Sequence, residues 1–422
     1  MKKNGFVMST YVYMLLVFFL LVILSMLAVL NNSRLLSNKL KEKSTDLNIV
    51  LIGNKQINLE LGTEYIEPGY VAQTATGEEL EVDITSDLDV THVGTYSITY
   101  TAKKGTNTIS ESRTIIVYKK FVTYITNLYN TDASSNGLEK DNTTDENIRY
   151  VGASPKNYVT FNNELWRIIG IFNVSNGTTI DPRIKLIRDE SIGEYSWDSS
   201  ASDVNNGNGV NEWSEADVKN LLNTYYLNQT SGNCYNGANN AFTTCDFSST
   251  SSIKGLDSAA NSLIENTVWN TGAITHVTTG ISVDEAYTSE RGTITGKTCT
   301  SGDECNDSVT RTTAWTGKVG LMYPSDYGYA STNTSCRSNI YDTTNNPCQN
   351  NNWLHKNATH YRTITPSSSA SAARSWLVVN AGRVGHADNY SATNIFPVVY
   401  LKPYVNVIGG DGTQASPYQL SI

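Results

Sequence analysis

Six cysteines carry the clearest chemistry in this sequence: Cys234, Cys245, Cys299, Cys305, Cys336 and Cys348. All lie in the second half, as three neighbouring pairs. Six cysteines allow fifteen pairings. The local pairing is expected here, Cys234 with Cys245, Cys299 with Cys305 and Cys336 with Cys348, because each bond would staple one loop rich in Asn, Ser and Thr. The opposing reading is six free thiols. No CxxC or Cys/His spacing fits a zinc site. Disulfides imply an oxidising, extracytoplasmic compartment.

The other reactive residues form no catalytic constellation. Gly292-Thr-Ile-Thr-Gly296-Lys297-Thr298 is one residue short of a phosphate loop and lacks a strand–helix frame. His355 and His360 sit five apart in polar text without the Glu of a metalloprotease helix. Two acidic stretches are candidates for calcium, the run Glu78, Glu79, Glu81, Asp83, Asp87 and Asp89 and the loop Asp203, Asn205, Gly207 and Asn208. The second lacks the Gly position and closing Glu of a calcium loop. The bland reading of both is a solvated surface. Beyond these two calcium candidates, no cofactor and no other metal is expected. Of the seven tryptophans, Trp166, Trp269 and Trp376 stand in apolar, strand-like text and read as core. Trp197, Trp213, Trp315 and Trp353 stand in polar loops, where an exposed indole could stack on a sugar or peptide.

These groups need elements to hold them. The chain has 422 residues, 17% of them charged, and a net charge of −9. Between Ile57 and Tyr118 ten Asp or Glu face three Lys or Arg. A nucleic-acid partner would want the opposite sign, so none is expected. Residues 6–30 carry no charge, and as a helix they span a ~30 Å hydrocarbon core. Lysines flank the run on both sides, so charge alone leaves the orientation open. The cysteines put the bulk of the chain outside the cell. No LPxTG-like sorting signal ends the sequence, so sortase attachment is not expected.

The opening string KKNG-FVMST, running into an apolar helix, resembles a prepilin leader. That resemblance implies cleavage between Gly5 and Phe6 and assembly into filaments. The family's Glu at the fifth mature position is Thr10 here. Plain signal-anchor and prepilin-like leader both stand as readings of residues 1–30, followed by a spacer over 31–48.

From 49 to 119 the text alternates. In YSITYT, Tyr96, Ile98 and Tyr100 share one face, the pattern of a half-buried antiparallel strand. Ile57-Asn-Leu59-Glu-Leu61 and Thr114-Ile-Ile-Val-Tyr118 read likewise, with Gly62, Pro68, Gly69, Gly77 and Gly105 at turns, so a β-sandwich is expected. INLELGTEYIEPGYVA, DITSDLDVTHVGTYSITYTA and SRTIIVYK resemble the bacterial Ig-like domain of Gram-positive surface proteins, a family also found in insecticidal crystal proteins. The resemblance implies a stalk without catalytic residues.

A linker is expected over 120–147 and an extracellular α+β head over 148–422. The head's first hairpin, Tyr158–Phe161 and 165–172, should turn at Asn162-Asn163. Arg183-Ile-Lys-Leu-Ile187 reads as a third strand. A helix over 214–227 should be capped by Ser214 and buried along Val218, Leu221, Leu222 and Tyr225. The Trp-rich strand, the Gly382-Arg-Val-Gly385 turn and the closing Pro-Val-Val-Tyr-Leu401 strand resemble C-type-lectin-like domains, though the sugar–calcium motifs of that family are absent. The sequence therefore reads as a single-pass membrane protein of the cell surface. A non-enzymatic adhesion head that takes an unidentified extracellular glycan or protein would stand on an Ig-like stalk. The alternatives are a self-assembling pilin-like subunit and a glycan or cell-wall hydrolase.

Overall fold

The computed structural model describes residues 10–43, 46–199, 209–238, 241–277, 279–292, 311–341, 346–356, 359–368 and 373–422. Gly5, Phe6, the 203–208 loop, Cys299, Cys305 and the body of the 292–298 motif lie outside them. Two units are present, Met1–Val117 and Tyr118–Ile422.

The first unit begins with one helix, Thr10–Lys43, whose stretch Val12–Ser37 is long and apolar enough to cross a membrane. Short antiparallel strands follow. Leu47–Leu51 pairs with Tyr70–Thr74, and Val82–Ser86 with Gly94–Lys104. Gly94–Lys104 pairs in turn with Asn107–Lys120, a strand that begins in this unit. Their hairpin turns on Gly105, at φ +62°, in the place where a two-residue turn demands a positive φ. Alternation delivers Ile98, Tyr100 and Ala102 from one strand and Ile115 and Val117 from the next to a common core with Ile49, Leu51 and Ala72. This is the expected sandwich. Its buried cation, Arg113, donates from Nη2 to the carbonyls of Ile52 and Gly69, at 2.9 and 3.2 Å, and to Glu67 at 3.2 Å. Glu67 also accepts from the Tyr65 and Tyr100 hydroxyls.

The second unit is α+β. Its main sheet is antiparallel and runs in the order Val319–Gly320, Val398–Tyr400, Ile180–Arg188, Glu164–Ser175, Ile148–Tyr150, Leu138–Lys140, with Tyr158–Phe161 also on Glu164–Ser175. The Asn162-Asn163 turn forms as expected, both residues at positive φ (57° and 59°). A second sheet holds Glu194–Tyr195, Thr393–Asn394, Tyr361–Pro366, Arg374–Val378 and Val384–Asp388. Lys119 and Lys120 pair with Val407 and Asn406.

Two expectations need correction. The stretch 120–147 is not a linker. It contains the helix Phe121–Asn136, with Phe121 and Ile125 fully buried, and the strand Leu138–Lys140 of the main sheet. Gly137, at φ +72°, makes the connection. A Cβ there would sit 2.7 Å from Pro155 and 2.9 Å from the Val151 carbonyl. The helix over 214–227 is likewise shorter and irregular. It starts at Asp217 and becomes a π-helix over Leu221–Tyr226, so the buried stripe is Val218, Leu221, Leu222 and Tyr226 rather than Tyr225. The wider π turn carries the inward position one residue further along. Ser214 does not cap it. Asp217 instead accepts from the backbone N–H and hydroxyl of Ser199.

Candidate functional site

Four elements of the second unit converge beneath one cleft. The strand Ile148–Tyr150 contributes Arg149, and Ile180–Arg188 contributes Lys185. The helix Val283–Arg291 contributes Tyr287, Glu290 and Arg291, and the short helix Pro324–Tyr329 contributes Asp326. All the charges except Arg291 are buried. The strand residues are buried because both faces of these strands are covered: every residue of Ile148–Tyr150 and every residue from Arg183 to Arg188 is buried. Capping explains Asp326: its carboxylate reaches back to the Tyr323 N–H at 2.9 Å, as an N-terminal helix residue does.

The charges are paired. Arg149 donates to Asp141 at 2.6 Å and to Asp326 Oδ1 at 3.0 Å, and Lys185 Nζ donates to Asp326 Oδ2 at 2.5 Å. Aromatic rings enclose the ammonium. Nζ lies 4.2 Å from the Tyr323 ring centre and 5.4 Å from both Phe172 and Tyr400. Glu290 accepts from the Ser325 N–H at 2.9 Å and its hydroxyl at 2.5 Å, and from Arg291 at 3.3 Å. Burial lowers the Lys185 ammonium to about 8, against the pull of Asp326, and raises Glu290 to about 7. Burial also pushes Asp326 up, but Lys185 and Arg149 outweigh it and hold the carboxyl below its ordinary range. A concentration of shifted groups beside a cleft is the pattern of a working site.

The cleft encloses about 330 Å³ and is lined by Asp145, Phe172, Asn270, Tyr287, Arg291 and Tyr400, among others. Arg291 lies on the Tyr287 ring, 3.3 Å from its centre, and donates to the Tyr287 carbonyl at 3.1 Å. The Tyr287 hydroxyl donates to the Asp145 carboxylate. Aromatic side chains, one cation and one carboxylate in its lining suit a polar ligand with an apolar side, such as a sugar ring or a short peptide.

A second cluster lies against the other sheet, where Trp376 and His386 pair across neighbouring strands. His276 and His386 stack at 4.5 Å, with Trp376 and Tyr341 in near-parallel rings beside them. His386 Nδ1 is 2.9 Å from the Ser367 hydroxyl. Burial, then His276, pushes His386 down to about 3.

The residues singled out in the sequence lie elsewhere. Cys234–Cys245 and Cys336–Cys348 are bonded as expected, the first across the hairpin Ser231–Tyr235 and Phe242–Asp246. The loop tryptophans are not exposed platforms. Trp197 and Trp213 are fully buried and Trp353 nearly so, while Trp315 is half-buried. Trp197 donates to the Thr363 carbonyl and Trp353 to that of Tyr150, and Trp213 packs edge-on between Trp197 and Trp315. Loop text around them misled because these loops fold inward. The acids of 78–89 disperse. Glu78 pairs with Lys104, Asp87 accepts from the Ser97 N–H, and Asp89 binds Thr91 and His92. Among the described residues no cluster of three His, Cys, Asp or Glu could hold a metal. The buried charges were missed, although a lysine inside RIKLI and an aspartate inside YPSDYGY were the available signals.

Residues 49–117 match the family described as bacterial surface protein, Ig-like domain. No curated protein matches the chain. Among solved structures the chain is similar to the lipoprotein BT2262 from Bacteroides thetaiotaomicron. That match has 17% identity, covers 35% of this chain and 75% of that one, and has a TM-score of 0.17, too low to bear on the fold.

Proposed function

We propose that this chain is a membrane-anchored surface protein in which an Ig-like stalk presents the second unit as a non-enzymatic binding head. The observation that carries this reading is the order of parts: an apolar helix, a bacterial surface Ig-like domain, then a disulfide-bonded unit with an aromatic, charge-tipped cleft. The disulfides support an oxidising location outside the cell. The ligand is an extracellular glycan or peptide seated in the cleft between Tyr287, Arg291 and Tyr400.

The test is a glycan and peptidoglycan-fragment array probed with the detergent-solubilised chain. Binding should occur without turnover and fall at least tenfold in Arg291→Ala. Hydrolysis of a bound fragment would overturn the non-enzymatic reading, and binding unaltered by Arg291→Ala would remove the cleft from it. N-terminal mass spectrometry on native membranes separates the two leaders. A chain starting at Phe6 would replace the anchored binder with a pilin-like subunit.

A further inference from the structure

We propose that Lys185 and Asp326 condense into an intramolecular amide that cross-links the second unit. The inference is independent of the ligand reading. The two groups are already in contact, Nζ to Oδ2 at 2.5 Å, and both are buried. An amine held at one carboxyl oxygen is one atom from the carbon it must attack.

The surroundings favour the reaction. The amine is a nucleophile only when neutral, and burial among the rings of Tyr323, Phe172, Tyr400 and Trp269 brings its pKa to about 8. Arg149 Nη1 holds the other oxygen, Oδ1, at 3.0 Å, where negative charge would develop in a tetrahedral intermediate. The step balances without a co-reactant. The bond from Nζ to the Asp326 carboxyl carbon forms and the carbon–Oδ2 bond breaks. Two of the three ammonium protons leave with Oδ2 as water, and the third remains on the amide. Glu290, held neutral to about pH 7 and hydrogen-bonded to the residue preceding Asp326, is a positioning residue that can keep a proton close to the pair.

Charge balance survives the step. One cation and one anion vanish together, and Arg149 keeps its bond to Asp141 at 2.6 Å. The amide carbonyl can still accept from Arg149, and the amide N–H stays among the rings. The product would join the strand Ile180–Arg188 to the helix Pro324–Tyr329 across 141 residues of chain. That is a covalent brace through the middle of a unit displayed outside the cell.

Peptide mapping of the purified full chain decides the matter, on protein whose Cys234–Cys245 and Cys336–Cys348 disulfides are formed, so that the unit is known to be folded. The expected result is no tryptic cleavage at Lys185 and a branched peptide joining the Lys185 and Asp326 segments, lighter than their sum by one water. In Lys185→Arg the Asp326 peptide should appear alone at full mass. In Glu290→Gln the cross-link should still form on refolding, at least tenfold more slowly at pH 7, with the rate still rising as pH approaches the Lys185 value of about 8. Linear peptides at full mass in the wild type, with cleavage at Lys185, would overturn the proposal whatever the variants do.

Discussion

The two units bury charge in opposite ways. Among the described residues of the sandwich Arg113 is the one buried charged side chain, clamped by Glu67 and backbone carbonyls. The second unit buries Arg149, Lys185, Asp141, Asp326 and Glu290 around a single point. Taking an ion out of water costs several kcal/mol and is offset only by close partners. Under the proposed reading a spacer has no need of such a cluster, whereas a head that must hold a cleft rigid has a use for it. The comparison predicts that removing one partner in the second unit is the largest single effect in the molecule. Asp326→Ala leaves Lys185 without the carboxyl group it pairs with, or is bonded to once the amide has formed, and Arg149 with one of its two carboxylates. A loss of about 3–5 kcal/mol is expected for that unit alone. Calorimetry should show its transition fall while the sandwich transition stays in place. A parallel fall of both would break the contrast.

The corresponding cut in the sandwich is Arg113→Ala. It removes the donor of the Ile52 and Gly69 carbonyls and leaves Glu67 to Tyr65 and Tyr100. Because Glu67 keeps those hydroxyls, the loss should be smaller, about 2–3 kcal/mol. Chemical denaturation of the sandwich transition measures it. A loss equal to that of Asp326→Ala would show that a lone clamp matters as much as a cluster.

Disulfides sharpen the same contrast, since both described bonds lie in the second unit. They close sequence separations of 11 and 12 residues. Loop-closure entropy at that length gives up to about 3 kcal/mol each, with relaxation of the open loop bringing the measured figure nearer about 2 kcal/mol. Cys336→Ser with Cys348→Ser should lower only the second transition. Reduction that leaves both transitions unmoved would make the bonds irrelevant to stability.

The sandwich was legible in the sequence because its information is local. Period-two alternation through Tyr96, Ile98 and Tyr100 and glycine at the turns specify strands and faces without distant partners. The Asn162-Asn163 turn was legible for the same reason. The buried cluster was not. Arg149 and Asp326 lie 177 residues apart, and Lys185 and Asp326 141. Nothing in either neighbourhood names the other. The tryptophans failed in the reverse direction, because polar loop text says where an indole starts and not which way the loop folds. The π turn at Leu221 moved the stripe by a residue for a reason no helical period contains.

The smallest effect is the most discriminating, because two large slopes oppose each other within it. Burial and neighbouring His276 hold His386 down to about 3, so at pH 5 the unfolded chain carries a proton there and the folded chain does not. That term makes the second unit less stable as pH falls below the ordinary histidine value, by up to about 1.4 kcal/mol per unit. Glu290 is raised to about 7, so at pH 5.5 the folded chain carries the proton and the unfolded one does not. Its term makes the unit less stable as pH rises from the ordinary carboxyl value towards 7, with the same limiting slope. Over roughly pH 4.5 to 6.5 the two nearly cancel. The wild-type transition should therefore be almost flat there. Glu290→Gln should uncover a loss towards acid, and His386→Gln a loss towards neutrality. In the sandwich, Glu67 has a lowered pKa, so its contribution fades only below the ordinary carboxyl range and the transition should stay level across the same window. A steep wild-type slope in the second unit, or two variants that drift in the same direction, would mean that the surroundings of His386 and Glu290 do not shift them in opposite directions.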